Sequence, residues 1–450
     1  MAASRLPQYI AALVANLGAL NLGTNLGWTS TAEYHIKREQ QYGFPVSDSQ
    51  FSWVSSLMPL GALIAAPAVG WLVTTIGRKS SMIFLCVPSV IGYGLLAWAQ
   101  NVPMLYIGRL LTGMSGGGFG IVVPLYVGEI AETNIRGTLG VCFQLLLDIG
   151  ILFTYIIGSL VSVKLLSIFC LLIPVICGVS VVFIPESPIY YLEKSKDREA
   201  EEALQWFRGS GYNIQHDFTV MQQNIQEVKD SKVTFFEAFS STAAKKGLVI
   251  CLGLMLFQQF CGVNSIVFYT DIIFKEAGSS LDSNVQTIVT GLVNLVFTYV
   301  SSIAVDRLGR RPLLLVSDIG MAICTFLIGL FFFMKDKSYD MDSVTWVPIT
   351  AVCLYLISFA LGYGPLPWVF LAEVFPRKIA GYAASVVCMF NYFCVFIITN
   401  FFDDISSLVG RGGAFFIFTA FSIVGTLFVI FIVPETKNKT LEEILKELED

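Results

Sequence analysis

Gln258, Gln259 and Asn264 lie close together in the stretch Phe257–Tyr269, with Gly262 among them. The surrounding run, 247–270, is apolar and long enough to cross a bilayer. Hydrocarbon gives side-chain amides no partner, so polar groups at that depth are placed there for a purpose. An amide offers both donors and acceptors. Three of them together suit an uncharged, polyhydroxylated solute better than an ion. The plainer alternative is hydrogen bonding between neighbouring helices. Geometry adds a condition. Five residues along a straight helix turn through about 500°, which would leave Gln259 and Asn264 about 140° apart. Both can face one ligand only if the helix breaks or kinks near Cys261–Gly262, where irregular backbone can line a cavity.

The rest of the chain must supply the frame. Of its 450 residues 55% are hydrophobic and 14% charged, with mean hydropathy +0.70; soluble domains carry about 25% charged residues. Twelve apolar runs of bilayer length occur, at 7–30, 51–73, 80–99, 103–127, 138–161, 164–184, 247–270, 284–305, 312–334, 346–371, 379–402 and 412–433. They predict an all-α membrane protein of twelve spans, embedded in lipid. The first run is a full span followed by a polar loop, so a cleaved leader is not expected. A net charge of −5 argues against a nucleic-acid partner. All ten cysteines fall within the runs, and the two histidines, His35 and His216, form no cluster with them. Neither metal nor other cofactor is expected, and the absence of a nucleophile–base pair argues against an enzyme. Placing both termini and the 185–246 loop on one side gives that side 20 of the 28 basic residues. That side is therefore expected to be cytoplasmic.

Internal repetition organises the spans. Gly77-Arg78-Lys79 after span 2 returns as Gly309-Arg310-Arg311 after span 8. Glu129 at the end of span 4 matches Glu373 at the end of span 10, and Pro185-Glu186-Ser187 matches Pro434-Glu435-Thr436. Such a period implies a duplication. With six spans per copy, the halves run parallel and enclose a path between them. The expected division is an N-terminal bundle 1–184, a cytoplasmic helical linker 185–246, a C-terminal bundle 247–433 and a cytoplasmic tail 434–450. Arg198–Phe207 in the linker and the tail from Leu441 have amphipathic helical patterns.

The chain resembles the sugar porter family of the major facilitator superfamily. The resemblance rests on Gly77-Arg78-Lys79, Gly108-Arg109-Leu110, Pro124 to Gly137, Pro185-Glu186-Ser187-Pro188, Gln258 to Tyr269, Asp306 to Arg311, Gly364-Pro365-Leu366-Pro367-Trp368 and Pro434-Glu435-Thr436-Lys437, in family order over nearly the whole chain. Trp28-Thr29-Ser30 and Tyr190-Tyr191-Leu192 look most like insect facilitated trehalose transporters. The resemblance implies the major facilitator fold, two pseudo-symmetric six-helix bundles, and transport of a sugar by alternating access. It implies substrate contacts from Gln144, Ile151, Gln258, Gln259, Asn264, Asn294, Phe359, Trp368 and Asn391, with Phe268 and Tyr269 as an external gate. Ala360 stands where the family has a hexose-facing glutamate, and Tyr392 where many relatives have Trp, so the sugar itself stays open between trehalose and hexoses.

Charged residues bear on coupling and gating. Proton-coupled members carry an aspartate in span 1 near the span 4 arginine; this chain has Asn25 there, and an amide does not exchange protons near neutral pH. Asn21, Asn25 and Trp28 share one helical face, lining a cavity or bonding neighbouring helices. Facilitated, downhill transport at the plasma membrane is therefore expected, by a chain that functions as a monomer. Asp148 lies one turn from Gln144; it could bind a sugar hydroxyl, pair with Arg109 or carry a proton. The rivals are a proton–sugar symporter using Asp148 and a non-transporting sugar sensor, against which the short tail argues. Arg78, Lys79, Glu129, Arg136, Asp306, Arg310, Arg311 and Glu373 are expected to form ion pairs across the halves. Thr74 in place of an aspartate and Ala380 in place of an arginine predict a weak inner lock, with Lys378 as a substitute.

Overall fold

The computed structural model of the chain describes residues 5–37, 41–132, 135–230, 241–267, 283–339, 344–375, 379–437, 439 and 441–449. Among these every regular element is a helix. Twelve are long and apolar enough to cross a membrane, and each falls on one of the expected runs. Spans 1 to 6 are Leu6–Glu33, Asp48–Ile76, Arg78–Ala97, Val102–Ile130, Thr138–Leu160 and Val163–Val182. Spans 7 to 10 are Thr242–Val267, Val285–Val305, Arg310–Asp336 and Trp346–Leu371. Spans 11 and 12 share the helical run Ala380–Phe431, which breaks at Gly410, where φ is 77°.

Local sequence sets the ends. Ser47 and Gln50 form a reciprocal capping box at the start of span 2, and Asn101, Ser162 and Ser241 cap spans 4, 6 and 7 through their side-chain oxygens. The two basic turns are conformational copies. Gly77 has φ 96° and Gly309 has φ 97°, a region that strains any residue with a Cβ. Each turn is closed by a carboxylate from the segment that follows its own half. Glu186 accepts the backbone N–H groups of Arg78 (3.1 Å) and Lys79 (3.0 Å). Glu435 accepts those of Arg310 and Arg311, each at 3.1 Å. A negative charge is thus set on the first turn of spans 3 and 9, where the helix dipole favours it. Burial pushes the Glu186 carboxyl above its ordinary range despite these bonds. At Glu435 burial is outweighed by the N–H bonds from Lys437, Arg310 and Arg311, and its carboxyl falls below that range.

Each half has its own packed interior, and the halves meet along two seams. On the first, span 2 lies on span 11: Ser52 and Ser56 donate to Asn400 (3.4 and 3.2 Å), and Ala62 packs with Cys388 and Tyr392. On the second, span 5 lies on span 8, where Asn294 donates to Asp148 (3.0 Å). The linker helix Asp197–Arg208 docks on the end of span 4. Phe207 packs edge-on against Tyr126, and Arg208 donates to the Ile130 carbonyl (2.9 Å). The tail helix Leu441–Glu449 buries Ile444 and Leu448.

Candidate solute site

The helix that begins span 7 stops at Phe260. Gly262 then takes φ 92°, and the helix resumes over 263–267. A Cβ on Gly262 would lie 2.4 Å from the Phe418 ring, so both backbone and packing require glycine. The break does what the angular argument demands. Asn264 Nδ2 donates to Gln259 Oε1 at 2.9 Å, so the two amides share one place. Gln259 Nε2 donates to Gln258 Oε1 (3.2 Å), and Asn391 Nδ2 of span 11 donates to the same oxygen (3.0 Å). Four amides thus form one hydrogen-bonded row.

Span 10 is broken as well. Its helix ends at Leu361 and restarts at Leu366, across Gly362-Tyr363-Gly364-Pro365. Gln258 Nε2 donates to the freed carbonyls of Tyr363 (2.7 Å) and Gly364 (3.1 Å). A glutamine has two amide hydrogens and two acceptor positions, and Gln258 spends all four on protein. Here Gln258 holds the span 10 turn, and a sugar reaching it would have to displace one of these four bonds. Gln259 and Asn264 keep unused capacity. Sequence alone missed the two carbonyls, although Gly-Pro breaks signal orphaned backbone acceptors that some buried donor must satisfy.

The remaining expected contacts distribute along the seams. Trp368 packs against the Ala62, Cys388 and Tyr392 cluster where the halves meet. The Tyr392 hydroxyl reaches Gly120 of span 4, whose Cβ would stand 2.9 Å from it. Phe359 borders the span 10 turn, its carbonyl accepting the Gly364 N–H (2.8 Å). Ala360 is 1% exposed, its small side chain set in protein interior. On the other seam Gln144 donates to Asp148 Oδ1 (3.2 Å) beside Asn294, and Ile151 is half-buried on the same helix. Asp148 is 2% exposed, with Oδ2 lacking a hydrogen-bond partner. Phe268 and Tyr269 lie outside the described residues.

Arg109 does not pair with Asp148. Its guanidinium donates to the carbonyls of Val54 (3.2 Å) and Asn25 (3.0 Å) and to Thr29 Oγ1 (2.6 Å), and it lies over the Trp28 ring at 5.1 Å. The face formed by Asn21, Asn25 and Trp28 looks into the first bundle, not into a cavity. Asn25 donates to the Thr112 carbonyl (3.0 Å), Trp28 to Ser167 (2.9 Å), and Ser89 donates to Asn21 (3.0 Å). A shared polar face does not say whether it meets water or another helix, and here neighbouring spans satisfy it.

The basic-turn charges are paired as well. Arg78 binds Glu129 (2.8 Å) and Glu193 (2.9 Å), and Ser187 donates to Glu129. Arg310 binds Glu373 (3.0 Å), to which Thr436 donates (2.5 Å). Lys79 Nζ and Arg311 reach the carbonyls of Val182 and Ile430. These contacts join each half to itself and to the segment that follows it, Ser187 and Glu193 of the linker and Thr436 of the tail; they clamp span 3 to span 4 and span 9 to span 10. In these contacts each arginine is turned inward by carboxylates that adjoin its own turn. The side chains of Arg136, Asp306 and Ala380, and all of Lys378, lie outside the described residues.

Twelve spans in two halves, with spans 7 and 10 broken beside a row of buried amides, define a membrane transporter of the major facilitator fold. The chain belongs to the sugar transporter family: the family model described as Sugar (and other) transporter matches residues 11–448. It is 38% identical over 444 residues to a facilitated trehalose transporter Tret1-2 homolog of Drosophila simulans, covering 98% of this chain and 91% of that one. It is 36% identical to the facilitated trehalose transporter Tret1 of Aedes aegypti; 98% of this chain matches about half of that longer protein, 55%. Among solved structures, the proton:xylose symporter XylE bound to 6-bromo-6-deoxy-D-glucose superposes with TM-score 0.82 at 25% identity, covering 98% of this chain and 99% of that one. A partially occluded inward-open XylE from E. coli gives 0.79 at 24% identity, covering 96% and 99%.

Proposed function

We propose that this protein is a facilitative sugar transporter, carrying trehalose, a hexose or both across the plasma membrane by alternating access. The observation that carries the reading is the amide row of Asn264, Gln259, Gln258 and Asn391. An uncharged polyol satisfies uncharged amides without a counterion, and two or three such bonds at about 1 kcal/mol each hold a solute without trapping it. Gln259 and Asn264 exchange their mutual bond for sugar hydroxyls, and Trp368 packs on the apolar face of the ring. Gln144, Asn294 and Asp148 contribute from the second seam, so that substrate draws both halves together. The halves, 1–184 and 247–433, rock about the site, with the linker and tail bracing them on the cytoplasmic side, where both termini lie. One chain holds the whole path and acts as a monomer. Names of relatives favour trehalose.

Downhill transport follows from span 1. Arg109 is satisfied by carbonyls, Thr29 and an indole, and Asn25 supplies no proton carrier beside it. Asp148, buried between the halves with one unpartnered oxygen, is the feature that favours the rival symport reading. Counterflow in proteoliposomes tests the substrate. Labelled trehalose is expected to enter vesicles preloaded with unlabelled trehalose, and labelled glucose is run beside it. Counterflow of neither sugar would overturn the proposal.

A further inference from the structure

Three buried polar groups near the span 10 turn have no hydrogen-bond partner. Asp318 of span 9 is 0% exposed and both its carboxyl oxygens are unpartnered. The Tyr363 hydroxyl, in the turn itself, and Ser422 Oγ of span 12 are likewise buried and unpartnered. The turn sits directly on this spot. The Tyr363 N–H donates to Ser317 Oγ (3.1 Å), next to Asp318, and a Cβ on Gly362 would lie 2.5 Å from the Ser317 Cβ. The Tyr363 hydroxyl faces the Asp318 carboxyl and is its hydrogen-bonding neighbour, although neither group reaches full hydrogen-bond geometry. From span 12, a Cβ on Gly425 would stand 2.9 Å from Asp318 Oδ2. Ser422 lies one turn before Gly425, on the same helical face.

The titratable groups facing Asp318 are Tyr363 of the turn, Cys261 at the span 7 break and Tyr355 of span 10. None is a cation. A lone carboxylate in a bilayer-spanning helix is among the costliest groups to leave uncompensated. The arginines of the transport path are committed elsewhere, so no side chain described here repays that cost. What the spot offers is hard oxygen, the Asp318 carboxylate faced by the Tyr363 hydroxyl, with the Ser422 hydroxyl one helical turn from where span 12 meets Asp318, which suits a small cation or a proton.

We propose that Asp318, Tyr363 and Ser422 form a binding site for one monovalent cation, a sodium ion or a proton, beside the span 10 turn. Its occupant neutralises the carboxylate and fixes the Tyr363 ring. The carbonyl of the same residue is the one Gln258 holds at 2.7 Å. Cation occupancy therefore sets the position of the amide row, and through it sugar affinity; this last link rests on the sugar-site reading. The cation need not travel with the sugar.

Thermal unfolding of the purified full chain in detergent, without sugar, tests the site. Wild type and Asp318→Asn are compared in sodium chloride and in choline chloride at equal ionic strength, and across a pH series. An amide in place of the carboxylate needs no cation. Sodium, or lowered pH, is expected to raise the Tm of wild type, and the rise is absent in Asp318→Asn. A response to sodium at fixed pH identifies the ion; a response to pH alone identifies the proton. Tyr363→Phe and Ser422→Ala keep the carboxylate and are expected to shift the response several-fold in cation concentration, which keeps the test open if Asp318→Asn does not fold. A wild type indifferent to both cations, or an Asp318→Asn that responds as wild type does, overturns the proposal. Intact cation responses in a protein that moves no sugar would instead overturn the sugar reading alone.

Discussion

Gly262→Ala is expected to lower sugar exchange in proteoliposomes tenfold or more, even where folded protein is recovered. The residue holds φ 92°, and its missing Cβ leaves room for the Phe418 ring, which would otherwise be 2.4 Å away. That ring is not free to yield. It stacks on Phe402 at 5.5 Å and meets Phe415 edge-on at 6.1 Å. Backbone strain and overpacking together cost about 2–6 kcal/mol. The chain can relieve that cost by straightening span 7, and straightening swings Asn264 away from Gln259. Exchange rate per folded transporter is the measurement; a variant exchanging sugar at the wild-type rate would show that the break is dispensable.

The two adjacent glutamines should fail in opposite ways. Gln258→Ala strips a partner from the Tyr363 and Gly364 carbonyls, from Asn391 Nδ2 and from Gln259 Nε2. Four buried groups deprived of a bond, at about 1–3 kcal/mol each, amount to a large loss of stability. Its Tm should fall sharply, and the span 10 turn should loosen. Gln259→Ala removes fewer protein bonds, one to Gln258 and one from Asn264. Its Tm should move little, while apparent sugar affinity should drop about tenfold, the worth of one good hydrogen bond. Paired thermal unfolding and concentration-dependent uptake separate the two. Equal affinity losses with unchanged Tm in both variants would return Gln258 to direct sugar contact.

How far these features could be read from sequence depends on whether the deciding interaction is local. The repeated turns at Gly77 and Gly309 and the break at Gly262 were legible, because repeated turn residues and a helical angle are properties of a few consecutive positions. Partner choice was not. Arg78 and Arg310 turn to Glu129 and Glu373 of their own halves, and nothing in their spacing distinguishes that from pairing across the cavity. The same holds for Asn25 and Trp28, whose shared face turned out to meet spans 4 and 6. Gln258 shows the limit most clearly. Its residue type announced hydrogen bonding at membrane depth, but only the fold of span 10, more than a hundred residues away, assigns those bonds to the Tyr363 and Gly364 carbonyls.

Downhill transport turns on two residues that point in different directions, an amide at Asn25 and a buried carboxylate at Asp148. The direct measurement is uptake of a labelled sugar that shows counterflow, into proteoliposomes carrying an imposed inward proton gradient. Internal sugar is expected to rise to the external concentration and stop there, with or without the gradient. Accumulation above the external level, collapsed by a protonophore and lost in Asp148→Asn, would contradict it and make Asp148 a coupling residue.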